Sequence, residues 1–178
     1  MAVKSSGPIS IQDIVNEFGG TEPHSLDEYY RGGSRVPNVS PENAKVPSSG
    51  AISLEDFYGA QNIFFFNVTS NTKELDLIEA AKTAGWNEAS ILRCIVDKDA
   101  WVWSDDTTKP GLLVKDHPSS VQIHNYGKII GKGGDGGNNG RVGKAGGPAI
   151  ETQNVNVSIT NFDGAFIAGG GGGGAGGG

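Results

Sequence analysis

The chain has 178 residues, 20 acidic and 14 basic side chains, a net charge of −6 and 36% hydrophobic content. No basic stripe or cluster interrupts the acidic balance, which excludes nucleic acid as the expected partner, and so low an apolar content points to thin layers, loops or repeats in place of one large core. The single cysteine, Cys94, excludes an intrachain disulfide, and no apolar run approaches the length of a membrane-spanning helix.

The opening residues, Met1-Ala2-Val3-Lys4 and then Ser5-Ser6-Gly7-Pro8, lack a secretory leader pattern. Synthesis in a cytoplasm without secretion is therefore expected. Two related phrases follow: Ser6-Gly7-Pro8-Ile9-Ser10-Ile11-Gln12-Asp13-Ile14 and Ser49-Gly50-Ala51-Ile52-Ser53-Leu54-Glu55-Asp56-Phe57. Between them lies His24-Ser25-Leu26-Asp27-Glu28-Tyr29-Tyr30. Each places a serine three positions before an acid, a capping-box arrangement, with Glu28 a better third residue than Asp13 or Asp56. Apolar or aromatic residues come next, and glycines close each segment at Gly19-Gly20, Gly32-Gly33 and Gly59. Three short helices are predicted. Helices of this length do not stand alone, so they need each other or, preferably, a neighbouring subunit. Residues 36–47, with Pro37, Pro41 and Pro47, read as an extended loop. Capping is the expected role of Asp13, Glu28 and Asp56, because no ligands converge on them.

The middle of the chain reads as β-α-β-β. Ile63-Phe64-Phe65-Phe66 starts a buried strand running to Thr69. A helix capped by Asn71 or Thr72 is predicted through Ala84, with Leu75, Leu77, Ile78 and Ala81 on its inner face. Gly85 ends it and Trp86 returns to the core. Strands are predicted at 91–96, 100–103 and 111–114, with a turn at Asp97-Lys98-Asp99. Cys94 lies in an apolar run and reads as a buried small hydrophobe, not a nucleophile. Trp101 and Trp103 share a strand face. Packing of that face against the helix is the expected reading, with an aromatic sugar-binding shelf as the alternative. Asp97, Asp99, Asp105 and Asp106 match no calcium loop and read as solvated turn residues. His24, His117 and His124 sit in unrelated contexts, and no nucleophile–base–orienter set emerges. No enzyme, metal or cofactor is expected.

The last third is dominated by glycine: of 29 glycines, 20 lie from Gly127 onward and 9 before it. Val121-Gln122-Ile123-His124-Asn125-Tyr126-Gly127 recurs thirty-six residues later as Val157-Ser158-Ile159-Thr160-Asn161-Phe162, with Asp163 inserted before Gly164. Each copy continues through a short apolar step into a glycine tract, and a repeat at this spacing indicates stacked architecture. Gly131-Lys132-Gly133-Gly134-Asp135-Gly136 matches the dinucleotide pattern G-x-G-x-x-G. That motif must open a helix, and Gly137-Asn138-Asn139-Gly140 cannot. Gly137 to Lys144 is one residue too long for a phosphate loop, and Ala145 stands where the metal-binding hydroxyl belongs. Both motifs are rejected. The glycine tracts read either as a flexible tail or as extended chains of three residues per turn, pairing through their main chains once more chain or another subunit supplies partners.

The phrases at 6–60 resemble the opening of many tailed-phage structural proteins. Ala84-Gly85-Trp86, Asn125-Tyr126-Gly127-Lys128-Ile129-Ile130-Gly131-Lys132-Gly133-Gly134, Gly146-Gly147-Pro148-Ala149 and the run from Asn161 resemble glycine-rich proteins of phage tail fibres, similar to the receptor-recognition adhesins at the fibre tips of T-even phages. The start differs from the fibre-docking start of those adhesins. The resemblance implies a virion protein of the tail fibre or tail tip with a distal domain of packed polyglycine helices, whose loops meet a bacterial receptor. The expected fold is α+β in several parts: a virion-docking region with short helices (1–61), a small α+β unit (62–118) and a glycine-rich repeat region suited to polyglycine II-type packing (119–178). Docking is expected through Ser10, Asp13, Phe18, Ser25, Glu28, Tyr29, Tyr30, Ser53, Asp56, Phe57 and Tyr58. Receptor contact is expected through Asp135, Asn138, Asn139, Arg141 and Lys144. The implied partners are other virion proteins and a bacterial outer-membrane protein or surface polysaccharide, with a homotrimer as one assembly. The alternative is a capsid or tail decoration protein without receptor binding.

Overall fold

The computed structural model describes residues 2–117 and 120–177. The chain divides into two compact units, one formed by residues up to 64 with 89–91, the other by 65–88 with the residues from 92 onward. Helix and parallel sheet are mixed, and helices are few.

The first unit holds helix α1 (Ile11–Phe18) and two single 3-10 turns at Leu26–Tyr29 and Leu54–Phe57. Their apolar faces meet in one cluster of Val3, Ile14, Phe18, Tyr29, Val36, Val46, Phe57 and Ala60. The rings of Phe18 and Tyr29 both approach Phe57 edge-on, at 6.5 and 6.3 Å. The short helices therefore cover one another, and no second subunit is needed to bury them. The two phrases carrying aspartate form capping boxes: the Ser10 and Ser53 amides donate to Asp13 and Asp56 carboxylates, each at 2.8 Å. The glutamate expected to be the better cap forms none. Ser25 makes no side-chain cap, and Glu28 pairs instead with Arg35 at 3.3 Å. A 3-10 turn is too tight for the longer acid to fold back, whereas aspartate reaches. The repeat also sets two cross-links between its copies and their neighbours. Tyr58 donates its hydroxyl to the Gly7 carbonyl and Tyr30 to that of Gly50, the two equivalent glycines. In the loop 36–47, Asn43 is fully buried but satisfied, bonding Pro37 O, Gln61 O and Gln61 N at 2.8–3.0 Å.

The second unit is a three-faced coil of parallel strands. Its strands are β1 (Ile63–Val68), β2 (Thr72–Lys73), β3 (Leu75–Asp76), β4 (Ile91–Val96), β5 (Trp101–Trp103), β6 (Leu112–Lys115), β7 (Val121–Asn125), β8 (Lys128–Ile130), β9 (Ile150–Gln153), β10 (Val157–Asn161) and β11 (Phe166–Ala168). One sheet runs β1-β4-β7-β10, the second β2-β5-β8-β11 and the third β3-β6-β9. Each turn of chain thus adds one strand to each face. Inward residues stack in register: Leu92 on Val121, Cys94 on Ile123 and Val102 on Ile129, all fully buried. Burial pushes the Cys94 thiol up to about 12, as befits a packed hydrophobe. On the last turn Ile159 and Ile167 continue the stacks on Ile123 and Ile129 but remain 43% and 37% exposed.

The repeated phrase is a pair of adjacent turns. Val121, Ile123 and Asn125 pair with Val157, Ile159 and Asn161, a constant offset of 36 (161 less 125). The next strands pair Lys128 with Phe166, an offset of 38 (166 less 128). Two residues are therefore added at this corner, not Asp163 alone, and Gly164 does not replace Gly127. Gly127 is required by space: an added Cβ would run into the Asp97 and Ala100 carbonyls of the turn beneath.

Two further expectations need correction. The helix predicted from 71 begins only at Leu77 as α2 (Leu77–Thr83), because Leu75 pairs with Leu112 and Glu74 takes a left-handed φ of 51°. Asp76, not Asn71, caps it, accepting from Glu79 N at 3.3 Å. The phenylalanine run forms an edge strand and leaves Phe65 37% exposed. The boundary expected at 118 lies outside the described residues; of the strands on either side of it, β4 pairs β7 and β6 pairs β9.

Ile129→Ala removes a side chain stacked between two turns. It is expected to cost about 2–5 kcal/mol in chemical denaturation. Ser10→Ala removes the α1 cap and should cost about 1 kcal/mol. Hydrogen bonds from the Ser10 backbone and hydroxyl, then Lys4, hold the Asp13 carboxyl below its usual value. Its stabilising contribution is thus complete above the ordinary carboxylate value and is lost as pH falls through the lowered one. Asp13→Asn should therefore destabilise at neutral pH and converge on the parent in denaturation curves taken in strong acid.

Candidate functional site

The coil opens at two corners into glycine-rich chain, between β8 and β9 and again after β11. Three segments result, at 131–137, 141–147 and 168–176. Gly131, Gly134 and Gly137 donate to the carbonyls of Ala168, Gly171 and Gly174 at 2.8–2.9 Å. Gly170, Gly173 and Gly176 donate to Gly147, Lys144 and Arg141 at 2.8–3.1 Å. Lys144 and Gly147 donate to Asp135 and Lys132 at 2.7–2.8 Å. Each segment gives to one neighbour and takes from the other, at every third residue.

The glycines obey the same count. A Cβ at Gly131, Gly134, Gly137, Gly143, Gly146, Gly170 or Gly173 would collide with a carbonyl of a facing segment. Gly171, Gly174 and Gly177 have open space there. Side chains are confined to positions between the crowded ones. Asp135, Asn138, Asn139, Arg141 and Lys144 are all exposed. Asp135 and Lys144 are brought together by an ion pair at 3.1 Å alongside the backbone bond between them. Such an exposed pair contributes little stability. Asn138 accepts from Arg141 N at 3.1 Å, closing a turn whose tip is Asn139 with φ 52° and Gly140 with φ 74°. Sequence reasoning passed over Val142, which is 84% exposed beside that turn. Its signal was present: one β-branched apolar residue alone in a polar, glycine-rich stretch.

Ten of the eleven N-terminal residues expected to dock fall into two sets, and Ser25 belongs to neither. Phe18, Tyr29 and Phe57 are core residues with at most 7% exposure, so they hold the unit together and do not present a surface. Ser10, Asp13, Ser53 and Asp56 are occupied by capping, Glu28 by Arg35, and Tyr30 and Tyr58 by carbonyls. Ser25 makes no cap bond. Of the acidic residues in the middle, Lys73 beside Asp105 lowers its carboxyl, and the Thr108 amide and hydroxyl lower that of Asp106. No group of His, Cys, Asp and Glu among the described residues is arranged to hold a metal ion. No helix among them is long and apolar enough to cross a membrane. His117 is buried against Trp86, ring centroids 4.6 Å apart, with Nε2 3.1 Å from Glu88.

The coil and all three glycine segments, residues 64–178, match the family model of the phage tail fibre adhesin Gp38. The chain belongs to this family. No curated protein and no solved structure matches it. Family membership makes it a bacteriophage structural protein of the tail fibre with a role in receptor recognition, associated with other virion components. Residues before 64 lie outside the match.

Gly173→Ala is expected to accelerate amide exchange at Lys144 by at least about tenfold, since a methyl there must displace a backbone carbonyl. Gly174→Ala, one residue on and in open space, should leave exchange unchanged.

Proposed function

We propose that the glycine segments form a polyglycine II-type bundle that presents the 135–144 loop to a receptor on the bacterial surface. The observation that carries this reading is the three-residue spacing of both the hydrogen bonds and the crowded glycines. Extended chains with three residues per turn return a donor to the same side at every third position. Three such chains, each donating to the next, need no side chains to cohere. Everything that is not glycine is thereby left on the surface, and between the first two segments that surface is Asp135, Asn138, Asn139, Arg141, Val142 and Lys144.

The recognition chemistry of this loop is polar with one apolar contact. Arg141 offers a planar fork of donors, the two asparagines offer both donors and acceptors, and Val142 can be desolvated at little cost. An outer-membrane protein loop or a surface polysaccharide would each supply matching groups. The first unit, residues 2–61, is the proposed attachment to the virion. Its docking surface would be built from exposed residues, with Phe18, Tyr29 and Phe57 supporting it from within.

A soluble form of the chain should bind susceptible bacteria and compete with phage adsorption. Combined Asn138→Ala, Asn139→Ala and Arg141→Ala substitutions are expected to weaken that binding by at least about a hundredfold, hot-spot losses of this kind being roughly 2 kcal/mol or more, with the unfolding midpoint unchanged. Retention of full binding by the triple variant would remove the loop from the receptor contact.

A further inference from the structure

The outer face of the second sheet carries two cross-strand rows of side chains. Trp101 and Lys128 are register partners, and Lys128 pairs in turn with Phe166. Trp103 and Ile130 form the next row, with Lys73 on the other side of Trp103. Val102 between the tryptophans points into the coil and is fully buried. The sequence expectation was that this tryptophan face packs against the helix. Instead α2 lies against β3 and β6, on the third sheet, and Trp101 is 38% exposed.

Between the rows runs an open groove of about 490 Å³ lined by Asn71, Lys73, Trp101, Trp103 and Ile130. That volume lies within the range of small-ligand sites. One tryptophan stands on each side, about 7 Å apart by strand geometry. The polar groups are matched to an oxygen-rich occupant. Asn71 spends its Oδ1 on the Trp101 amide, at 3.0 Å, which leaves its NH2 as donor. Neither indole N–H has a partner among the described residues. Lys73 is held by Asp105 at 2.7 Å. Lys128, by contrast, has no carboxylate partner there; its ammonium sits 4.3 Å from the Trp101 ring centroid and 5.6 Å from that of Phe166. Donors with two indole faces and one uncompensated cation favour a ligand with apolar C–H faces, many acceptor oxygens and negative charge.

We propose that this groove binds an acidic saccharide. A sugar ring lays its C–H face on an indole, where the positive edge of the C–H bonds meets the negative π face. Its hydroxyl oxygens accept from Asn71 and the indole N–H groups, and its carboxylate meets Lys128. The site lies in the coil, away in sequence from the 135–144 loop, and stands whether or not that loop contacts a receptor.

The test titrates the full chain with a uronic acid trimer and with a neutral hexose trimer, following calorimetric heat and indole fluorescence. The uronate trimer should bind saturably, more tightly than the neutral one, and more weakly as salt rises. Trp103→Ala and Lys128→Ala should each weaken it by about tenfold, the loss of one aromatic or charge contact. Trp103→Phe should retain most of the affinity, which separates loss of the platform from loss of the fold, and Arg141→Ala should change nothing. Absence of saturable uronate binding, equal binding of the neutral trimer, or binding unaffected by Trp103→Ala would each overturn the proposal. Self-association abolished by Trp101→Ala would do so as well, assigning the groove to a second copy of the chain.

Discussion

The coil depends on a buried asparagine at the corner between two of its faces. Asn125 is fully buried, yet its amide donates to Asn161 Oδ1 at 2.7 Å and to Phe166 O at 3.3 Å, while its Oδ1 accepts from Gly127 N at 3.1 Å. An amide buried in this way is costly unless each group is paired, and slipping the register by one residue would break every one of these bonds. Apolar stacks such as Cys94 on Ile123 tolerate neighbouring arrangements far better. The asparagine therefore specifies which residue lies over which, and the apolar stacks supply most of the stabilisation. Outside the corner, Tyr126 and Phe162 repeat the same alignment with rings stacked 4.0 Å apart.

That register controls where the glycine segments begin. Ile130 and Ala168 are paired neighbours, and the first residue beyond them, Gly131, donates to Ala168. The returning segment re-enters beside them, with Pro148 and Ala149 accepting from Gly111 and Leu112. Three chains that must meet at every third residue thus start already aligned. Glycine loses much backbone entropy on ordering, and alignment by a rigid base removes part of that cost in advance.

The parts of this architecture legible in the sequence were those with a local signature. The Val-x-Ile-x-Asn phrase announced two stacked turns because its copies are paired neighbours, and the strands at 63–68 and 91–96 followed from apolar runs. The coil itself was not legible. Thr72–Lys73 and Leu75–Asp76 are two-residue strands whose partners lie thirty or more residues away, so no periodicity within them marks a strand, and the helix pattern around Leu75, Ile78 and Ala81 extended over them. The aspartate capping boxes were underrated because the general preference is for glutamate at the third position, yet aspartate closes the box on α1 as well as on the 3-10 turn at Leu54–Phe57. The outward face of Trp101 and Trp103 could not be assigned, since alternation shows that two residues share a face without showing which side is covered. For the exposed loop, the glycine tracts bounded Asp135 to Lys144, while the lone apolar residue among them, Val142, was a signal that went unread.

The joint entry of three chains into one end of the coil has a mechanical consequence. Force applied to the glycine segments is delivered to β8, β9 and β11 together, because the segments join those strands. Those strands belong to two sheets and are bonded along their lengths to β5 and β6. The load is shared as shear over several ladders at once, instead of peeling a single strand bond by bond. Segments made almost entirely of backbone are then anchored as firmly as the body that carries them.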